Sequence, residues 1–294
     1  MWRQLSAAIG EAQAESLSDL FFGLGALSVT LQDEGDQPLF EPKPGETPLW
    51  RITRVIALFE EDADLSQVRS ALLDGYDGES LGDWREEEIQ DQAWERAWLA
   101  HFRPMQFGRR LWVVPTGFEL PKQQDAVCVN LDPGLAFGTG THPTTALCLE
   151  WLDGQSLEGK LVIDYGCGSG ILAVAALLLG AGQAIATDID QQALTATLGN
   201  ARKNGVEGRV DCCLPHRMPT VQTDILLANI LANPLIELAG QLAGHVRPGG
   251  AVVLSGILQG QVGDVMRAYE PYMVMEEPVF LEDWTRLTGI RSNG

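Results

Sequence analysis

The sequence predicts an α/β protein in two parts, a small α+β module followed by a larger domain with a mostly parallel sheet. Three observations predict this. The 294 residues, 45% of them apolar, suffice for about two cores. From about residue 108, apolar runs of strand length alternate with segments of helical periodicity. One such run ends in three closely spaced glycines and leads directly into an apolar helix.

Residues 1–90 are typical of a small α/β module. Its predicted elements are a helix over 6–24, strands over 26–32 and 51–59, and a helix over 65–73. The acidic, Pro- and Gly-rich stretch 33–48 is predicted to be an exposed loop. Two strand–helix pairs of this kind fit a ferredoxin-like layout.

A linker helix is expected over about 91–107, between the module and the larger domain at 108–294. Trp94, Trp98 and Phe102 recur every fourth residue and so share one helical face. The simpler interpretation is an aromatic stripe packed on a core or between domains, and the alternative is a platform that stacks on substrate. Pro104 is expected to end the helix.

The larger domain alternates strands and helices. Its predicted strands are 111–115, 126–131, 160–164, 184–188, 225–228 and 251–255, its predicted helices are 144–152, 171–179, 191–204, 234–246 and 259–269, and a final hairpin is formed by 272–280 and 284–290. This alternation predicts a parallel-dominated sheet covered on both faces. Ligands of such sheets lie at the carboxyl ends of the strands.

Cysteine and histidine usage argues against a metal site. The five cysteines form no Cys-x-x-Cys pair, and the four histidines do not cluster with them, so neither zinc nor a disulfide framework is expected. The first residues lack a signal-peptide pattern, and the longest apolar run, 171–179, is far shorter than a membrane span. We expect a soluble cytoplasmic protein with reduced thiols and no membrane partner.

The charge of −20 is concentrated in the first third of the chain. Residues 1–100 hold 21 acidic and 7 basic residues. Such a surface disfavours direct binding of nucleic acid and attracts basic macromolecules. Plain solubility is the competing explanation.

The glycine-rich turn is Asp164-Tyr-Gly-Cys-Gly-Ser-Gly170, between a predicted strand and a helix. Gly166, Gly168 and Gly170 let the backbone turn sharply beside a ligand. The dinucleotide fingerprint needs its third glycine where this chain has Ile171. The carboxylate of Asp164 suits a ligand with an ammonium group, so the motif favours an amino acid–nucleoside ligand. A tight strand–helix turn without a ligand is the alternative.

Two further strand ends carry polar side chains. Asp188 ends the next strand, where a carboxylate can accept hydrogen bonds from both ribose hydroxyls. Asp190 is predicted to cap the following helix instead. Asn229 ends the fourth parallel strand, beside the same ligand, and could hold the amino acid part of the cofactor or an incoming amine. Asn233, before Pro234, is predicted to start a helix.

These motifs together resemble the class I S-adenosylmethionine methyltransferases. The segment Leu131-Asp-Pro-Gly-Leu-Ala-Phe-Gly-Thr-Gly-Thr-His-Pro-Thr-Thr145, with 162–170 and 228–231, is closely similar to the PrmA family, which methylates ribosomal protein L11. The resemblance is strongest over 95–294. It implies a Rossmann-like catalytic domain, a linker helix and a ferredoxin-like domain that recognises the substrate.

The resemblance also implies an activity and site residues. The activity is trimethylation of lysine side chains and of the N-terminal amine of the basic ribosomal protein. S-adenosyl-L-methionine is the implied cofactor, with contacts at Thr145, Gly166, Asp188 and Asn229, to which the glycine motif adds Gly168. The loop at 138–143 is expected to close over the methyl donor. His142 is expected to shape that loop rather than to act as a base.

Other functions stay open at this point. Another class I protein or small-molecule N-methyltransferase is one alternative, although the Asn-Pro-Pro-Tyr typical of glutamine methyltransferases is absent, since Asn229 is followed by Ile-Leu-Ala. A non-catalytic scaffold that binds the cofactor is the other. No strong general base stands in the motifs, so Asn229 is expected to act by alignment. A monomer is expected.

Overall fold

The computed structural model describes residues 2–35, 49–75, 82–89, 103–131 and 142–292. The chain divides into two compact units, residues 1–97 and 98–294. Each has a buried core of its own. The boundary that the sequence suggests at residue 90 stays a prediction.

The described residues of the first unit form an antiparallel sheet and two helices. Its elements are β1 (Trp2–Gly10), α1 (Glu11–Gly23), β2 (Ser28–Asp33), β3 (Ile52–Glu60), α2 (Leu65–Gly75) and β4 (Gly82–Ile89). The strand order is β2-β3-β1-β4. Leu17 and Phe21 of α1 are fully buried against this sheet, and the ring of Phe21 meets Phe59 edge to face at 6.2 Å. The ferredoxin-like description stays a prediction, which this strand order supports.

The predicted helix over 6–24 is wrong in its first turn, because residues 2–10 form strand β1. Leu5, Ala7 and Ile9 alternate toward the core, but Ser6 and Ala8 are also buried, at 2% and 9% exposure. When both faces of a strand are buried, its residues do not alternate between apolar and polar. The apolar pattern alone then cannot distinguish the strand from a buried helix.

The predicted linker helix lies mostly outside the described residues. Trp94, Trp98 and Phe102 all fall within 90–102, which the structure does not describe. Before that gap, residues 86–89 belong to strand β4, and after it residues 105–107 form a strand rather than a helical turn.

In the second unit, the residues that the structure describes form two sheets. Its elements are β5 (Met105–Phe107), β6 (Leu111–Val114), β7 (Val127–Asn130), α3 (Pro143–Asp153), β8 (Leu161–Tyr165), α4 (Ile171–Leu178), β9 (Gln183–Thr187), α5 (Gln191–Lys203), β10 (Val210–Cys213), β11 (Thr223–Asn229), α6 (Ala232–Glu237), α7 (Ala239–His245), β12 (Val246–Leu258), α8 (Val262–Tyr269), β13 (Met273–Met275), β14 (Val279–Leu281) and β15 (Trp284–Arg291). Its described residues also include the short 3₁₀ turns Glu207–Arg209, Pro215–Arg217 and Gln259–Gln261. Strands β5, β6 and β7 form the small sheet.

The large sheet is mixed and dominated by parallel strands, as the sequence predicts. Its order is β10-β9-β8-β11-β12-β15-β13, with β14 also paired to β15. The strands from β10 to β12 pair in parallel, and β15 runs antiparallel to β12, β13 and β14. The carboxyl ends of β8, β9 and β11 therefore meet at one edge.

Both faces of this sheet are covered, because successive strand residues enter two separate cores. In β8, for example, Val162 packs with α3, α4 and α5, whereas Ile163 packs with α6, α7 and α8. A strand buried on both faces needs apolar residues at consecutive positions, which explains why β8, β11 and β12 lack alternation.

Three details differ from the predicted pattern. The helix predicted over 234–246 is two short helices that meet at Leu238, and the first begins at Ala232, so Asn233 lies inside it. The predicted final hairpin is interrupted, with β13 and β14 pairing to different halves of β15. Strand β10 has no predicted counterpart, because four residues are too few to show a period.

No helix among the described residues combines the length and apolarity of a membrane span.

Candidate functional site

The five predicted site residues line one cavity at the carboxyl edge of the large sheet. The cavity has a volume of about 370 Å³, and its walls include Thr145, Gly166, Gly168, Asp188 and Asn229. Thr145 lies in the first turn of α3, and the other four residues follow or end β8, β9 and β11, so the topology gathers residues that are far apart in sequence.

The glycine turn after β8 brings bare backbone to this cavity. Gly166, Gly168 and Gly170 have φ values of +76°, +52° and +76°, which side chains disfavour. A Cβ on Gly166 would lie 2.2 Å from the Ile230 side chain. The N–H groups of Gly166 and Gly168 already donate to the Thr187 carbonyl at 2.8 Å and to Asp188 at 3.0 Å. The N–H groups of these two glycines are therefore satisfied within the protein, and their lack of side chains leaves this side of the cavity open.

Two side chains of α5 hold the glycine turn by hydrogen bonds to its carbonyl groups. The Thr197 hydroxyl donates to the Gly168 carbonyl at 3.1 Å, and the Asn200 amide donates to the Ser169 carbonyl at 2.8 Å. Carbonyls in a sharp turn have no regular partner, so these bonds satisfy groups that would otherwise be orphaned. Neither role is predictable from the sequence, since both residues lie about thirty positions after their partners.

Asp164 caps α4 from the preceding strand. Gly170 occupies the N-cap position and has no side chain to offer, and the Asp164 carboxylate accepts the Ala173 N–H at 3.0 Å instead. Burial raises the pKa of Asp164 to about 7, while the Ala173 hydrogen bond opposes the rise and the Asp188 charge adds to it. The Asp164 carboxyl group lines the cavity and is 1% exposed.

Asp188 is held by two backbone N–H groups. Gly168 donates to Oδ2 and Asp190 donates to Oδ1, both at 3.0 Å. A carboxylate has about four lone-pair sites, so each oxygen keeps one for a ligand. Asp190 caps α5, accepting the Gln192 N–H at 2.8 Å, which confirms the role predicted for it.

Asn229 and Thr145 meet on the opposite wall. The Asn229 amide donates to the Thr145 hydroxyl at 3.3 Å. That bond fixes the direction of the amide and leaves its oxygen and second N–H for other partners. Thr145 itself is fully buried at the start of α3.

His142 begins α3 beside this wall. Its Nδ1 lies 2.8 Å from the Thr144 hydroxyl and accepts the Thr144 N–H, and its ring meets Trp284 edge to face at 4.8 Å. Partial burial lowers the pKa of His142, and the nearby Glu282 charge opposes this only in part. The capping geometry supports a shaping role. The preceding residues 132–141, which include most of the expected loop, lie outside the described residues.

The apolar walls of the cavity were missed by sequence reasoning. They include Ile189, Pro215, Ile230, Leu231 and Leu238. Ile189 is 87% exposed, although it is a large apolar residue. The sequence does contain a signal for Ile189, which is a large apolar residue between two aspartates at the end of a strand. A side chain at such a position does not pack into the core, so its apolar character indicates contact with a ligand.

Comparison with known proteins decides the family. The model of the family described as ribosomal protein L11 methyltransferase (PrmA) matches residues 1–292. The chain belongs to the PrmA family. The match includes the acidic first unit, so it is not limited to the part of the chain that carries the glycine turn.

Relatives in the PrmA family are similar over their whole length. The ribosomal protein L11 methyltransferase of Methylococcus capsulatus is 58% identical over 292 residues, 99% of each chain. That of Marinobacter nauticus is 54% identical over 297 residues, 100% of this chain and 99% of its own. A crystal structure of ribosomal protein L11 methylase from Lactobacillus delbrueckii subsp. bulgaricus matches 65% of this chain and 100% of its own, at 32% identity and a TM-score of 0.56.

Proposed function

We propose that this protein transfers methyl groups from S-adenosyl-L-methionine to amines of ribosomal protein L11, namely lysine side chains and the N-terminal amine. The observation that carries the proposal is that the glycine turn, Asp188 and Asn229 line the same cavity, in a chain that belongs to the PrmA family. The alternatives within the same fold use the same cofactor and differ in the acceptor.

The residues of the cavity fit the cofactor at both of its ends. The two unused lone-pair sites of Asp188 suit two ribose hydroxyls, and the exposed Ile189 beside it suits the flat face of a base. Asp164 offers a carboxylate to an ammonium group. The volume of about 370 Å³ lies in the range of roughly 300–1,000 Å³ that is usual for small-molecule sites.

The protein contributes alignment rather than covalent chemistry. When bound, S-adenosyl-L-methionine supplies a methyl group on a positively charged sulfur. The Asn229 oxygen, held in direction by Thr145, would accept a hydrogen bond from the incoming amine and point its lone pair at the methyl group. Positioning of this kind lowers a barrier by roughly 7–11 kcal/mol at best.

The acceptor amine must lose a proton before it reacts. At neutral pH, freeing an amine with a pKa near 10.4 costs roughly 4–5 kcal/mol. We infer that water takes this proton, aided by desolvation in the apolar part of the cavity, because Asp164 and Asp188 are both engaged in backbone hydrogen bonds.

A transfer assay tests the proposal. The full chain is incubated with methyl-labelled cofactor and a mixture of purified ribosomal proteins, and the products are separated and analysed by mass. Label on ribosomal protein L11, in steps of one methyl group on lysine and N-terminal amines, is the expected result. Label on free metabolites alone, or cofactor binding with no transfer, would contradict it.

We propose the roles of the other parts of the chain from its family and its charge distribution. The acidic residues 1–90 would recognise the basic substrate, residues 91–107 would link them to the catalytic domain at 108–294, and the protein would act as a cytoplasmic monomer without direct nucleic acid contacts. The charge of the first unit supports the first point, since it carries 21 acidic and 7 basic residues.

A further inference from the structure

Strand β14 lies at the outer edge of the large sheet. It pairs with the first half of β15, whereas β13 pairs with the second half and β12 occupies the opposite side of β15. Among the described residues, no further strand pairs with β14. One side of its backbone is therefore open at the edge of the sheet, where another chain can approach it.

All three side chains of β14 are exposed, although all are large and apolar. Val279, Phe280 and Leu281 are 38%, 52% and 37% exposed. Successive strand residues point to opposite faces of a sheet, so neither face of β14 is well covered. Single exposed apolar residues are common on protein surfaces, whereas contiguous ones rimmed by polar residues mark interaction sites.

Two acidic residues follow β14 directly. Glu282 and Asp283 form the turn into β15, and both are exposed. Gln259 holds this turn through the backbone, since its N–H donates to the Asp283 carbonyl at 3.1 Å and its side-chain amide donates to the Glu282 carbonyl at 2.8 Å. Glu282 has a φ of +53°, which glycine adopts at lower cost. A glutamate thus occupies a strained position, although its carboxylate takes no part in those two bonds.

Strand β14 lies close to the proposed cofactor cavity, which is at the same edge of the large sheet. Leu281 pairs with Trp284, which lies beside the end of β12. The Trp284 ring meets the His142 ring at 4.8 Å, and His142 begins α3, whose Thr145 lines the cavity. The Glu282 charge also acts on His142, where it opposes the lowering of the pKa by burial. Strand β14 and the cavity are thus neighbours within the second unit.

The separation between β14 and the cavity suits a short stretch of extended chain. Asn229 ends β11, and the order β11-β12-β15-β14 puts three strand spacings between Asn229 and β14. At roughly 4.8 Å for each spacing, the distance is about 14 Å. An extended chain rises about 3.3 Å per residue, so about four residues span it.

We propose that residues 279–283, the β14 strip, bind an extended segment of the protein substrate in which basic residues adjoin apolar ones. Apolar side chains of this segment pack on Phe280 and Leu281, and its lysine or arginine side chains lie against Glu282 and Asp283. The segment lies about four residues from the amine that enters the cofactor cavity. This inference rests on the proposed function, since it takes the substrate to be a basic ribosomal protein.

The charge of this part of the chain favours a basic occupant. Residues 270–283 include five acidic residues and no basic one. Opposite charges across an interface steer the encounter and exclude wrong partners. The same charge disfavours a second copy of this chain, because a two-fold contact at this edge would bring two acidic turns together.

Substrate kinetics on the full chain test the apolar part of the β14 strip. Phe280→Thr removes its most exposed side chain and keeps strand propensity. We expect KM for ribosomal protein L11 to rise about tenfold, with kcat and the affinity for S-adenosyl-L-methionine unchanged. Val274→Thr is the control, since Val274 is 64% exposed in β13, at the other end of the same sheet edge.

The outcomes separate this inference from the proposed function. A parent protein that does not methylate ribosomal protein L11 would refute the proposed function and this inference with it. Methylation by the parent protein, with the same KM in Phe280→Thr as in Val274→Thr, would overturn this inference alone. A rise of KM confined to Phe280→Thr would support both.

Glu282→Gly separates binding from a structural role. Glycine removes the charge and fits a φ of +53°, so the melting temperature should not fall. KM for ribosomal protein L11 should still rise about threefold to tenfold at low salt, and less at about 0.5 M salt. Glu282→Gln keeps the backbone conformation and should raise KM by the same factor. Unchanged KM in both variants would show that this charge does not meet the substrate and would overturn the proposal.

A second copy of this chain is the other occupant that an open sheet edge can accept. Light scattering over a range of protein concentrations distinguishes it from the substrate. We expect the parent protein and Phe280→Thr to have the same mass at every concentration. A parent dimer that Phe280→Thr dissociates, with KM for ribosomal protein L11 unchanged, would assign the β14 strip to self-association and overturn the proposal.

Discussion

The Asp188 carboxylate accepts two backbone hydrogen bonds, and we propose that it also binds the ribose hydroxyls of the cofactor. A single substitution tests this proposal. Asp188→Asn replaces one acceptor oxygen by a donor, so it loses one backbone bond and one ribose bond. We expect affinity for S-adenosyl-L-methionine to fall about 10- to 100-fold, measured by calorimetry. Asp190→Asn is the matched control, since asparagine caps a helix as well as aspartate does. Equal affinity in the two variants would argue against a ribose contact.

Asn229 is expected to act on the reaction more than on folding. Asn229→Ala removes the amide that Thr145 holds in direction, and a small misplacement of the acceptor costs about 100-fold in rate. We expect kcat to fall by about that factor with S-adenosyl-L-methionine saturating, while the melting temperature stays close to that of the parent protein. Turnover unchanged at saturation would remove Asn229 from the alignment of the amine.

Asp164 makes stability depend on pH in an unusual direction. Its pKa is raised to about 7, whereas in the unfolded chain it is near 3.9. Between those values the folded protein binds a proton that the unfolded chain does not, so stability falls as pH rises from about 4 to about 7 and then levels off.

Asp164→Asn should remove this dependence, since asparagine keeps an acceptor for the Ala173 N–H and has no charge. Urea unfolding of both proteins at about pH 5.5 and about pH 8 measures it. We expect the parent protein to lose about 2 kcal/mol relative to the variant between the two values. A difference between the two proteins that does not change with pH would show that Asp164 titrates normally.

At the scale of single elements, the turn between β8 and α4 is sensitive to any added side chain. Gly170 has φ +76°, and a Cβ there would lie 2.6–2.9 Å from the Thr197 side chain, which itself holds the turn. We expect Gly170→Ala to destabilise the second unit by about 1–3 kcal/mol and to weaken cofactor binding. Chemical denaturation and calorimetry would measure the two effects.

A second glycine gives the opposite expectation with the same substitution. Gly199 lies within α5, is exposed, and would place its Cβ in open space. Gly199→Ala should therefore stabilise the protein by about 0.5–1 kcal/mol, because alanine is the better helix former. If both variants were destabilised alike, steric strain in the turn would not be the cause.

The elements of the second unit were largely predictable, and the reason is local. The run Leu161–Tyr165, the glycines and the apolar helix after them follow one another directly, so neighbouring residues determine the turn. Strand β1 was missed because Ser6 and Ala8 are buried along with their neighbours. The break between α6 and α7 at Leu238 was not predicted, because the apolar residues keep helical spacing across it. That spacing does not show where one helix ends and the next begins.

The site was predictable only where a motif marks it. Asp188 and Asn229 end apolar runs, and that position alone suggested their place at one edge. Thr197 and Asn200 hold the turn from another helix, and nothing in their own neighbourhood says so.

At the scale of the whole molecule, the negative charge is concentrated in the first unit. Glu60, Glu87 and Glu88 are exposed and lie at the same end of the sheet, where β3 ends and β4 pairs with the start of β1. A cluster of this sign speeds the approach of a basic protein and contributes little to the binding of a small cofactor. The triple change Glu60→Gln, Glu87→Gln and Glu88→Gln tests whether the unit recruits the substrate in this way.

We expect the triple variant to lose about tenfold in kcat/KM for ribosomal protein L11 at low salt, mostly through KM, with cofactor affinity unchanged. The loss should shrink toward zero at about 0.5 M salt, because screening then hides the same charges in the parent protein. The control neutralises three exposed acids of the second unit, Glu207, Glu237 and Glu277. Equal losses in both triple variants would mean that net charge alone matters. A loss confined to the first, and only at low salt, would assign recruitment of the basic substrate to the acidic unit.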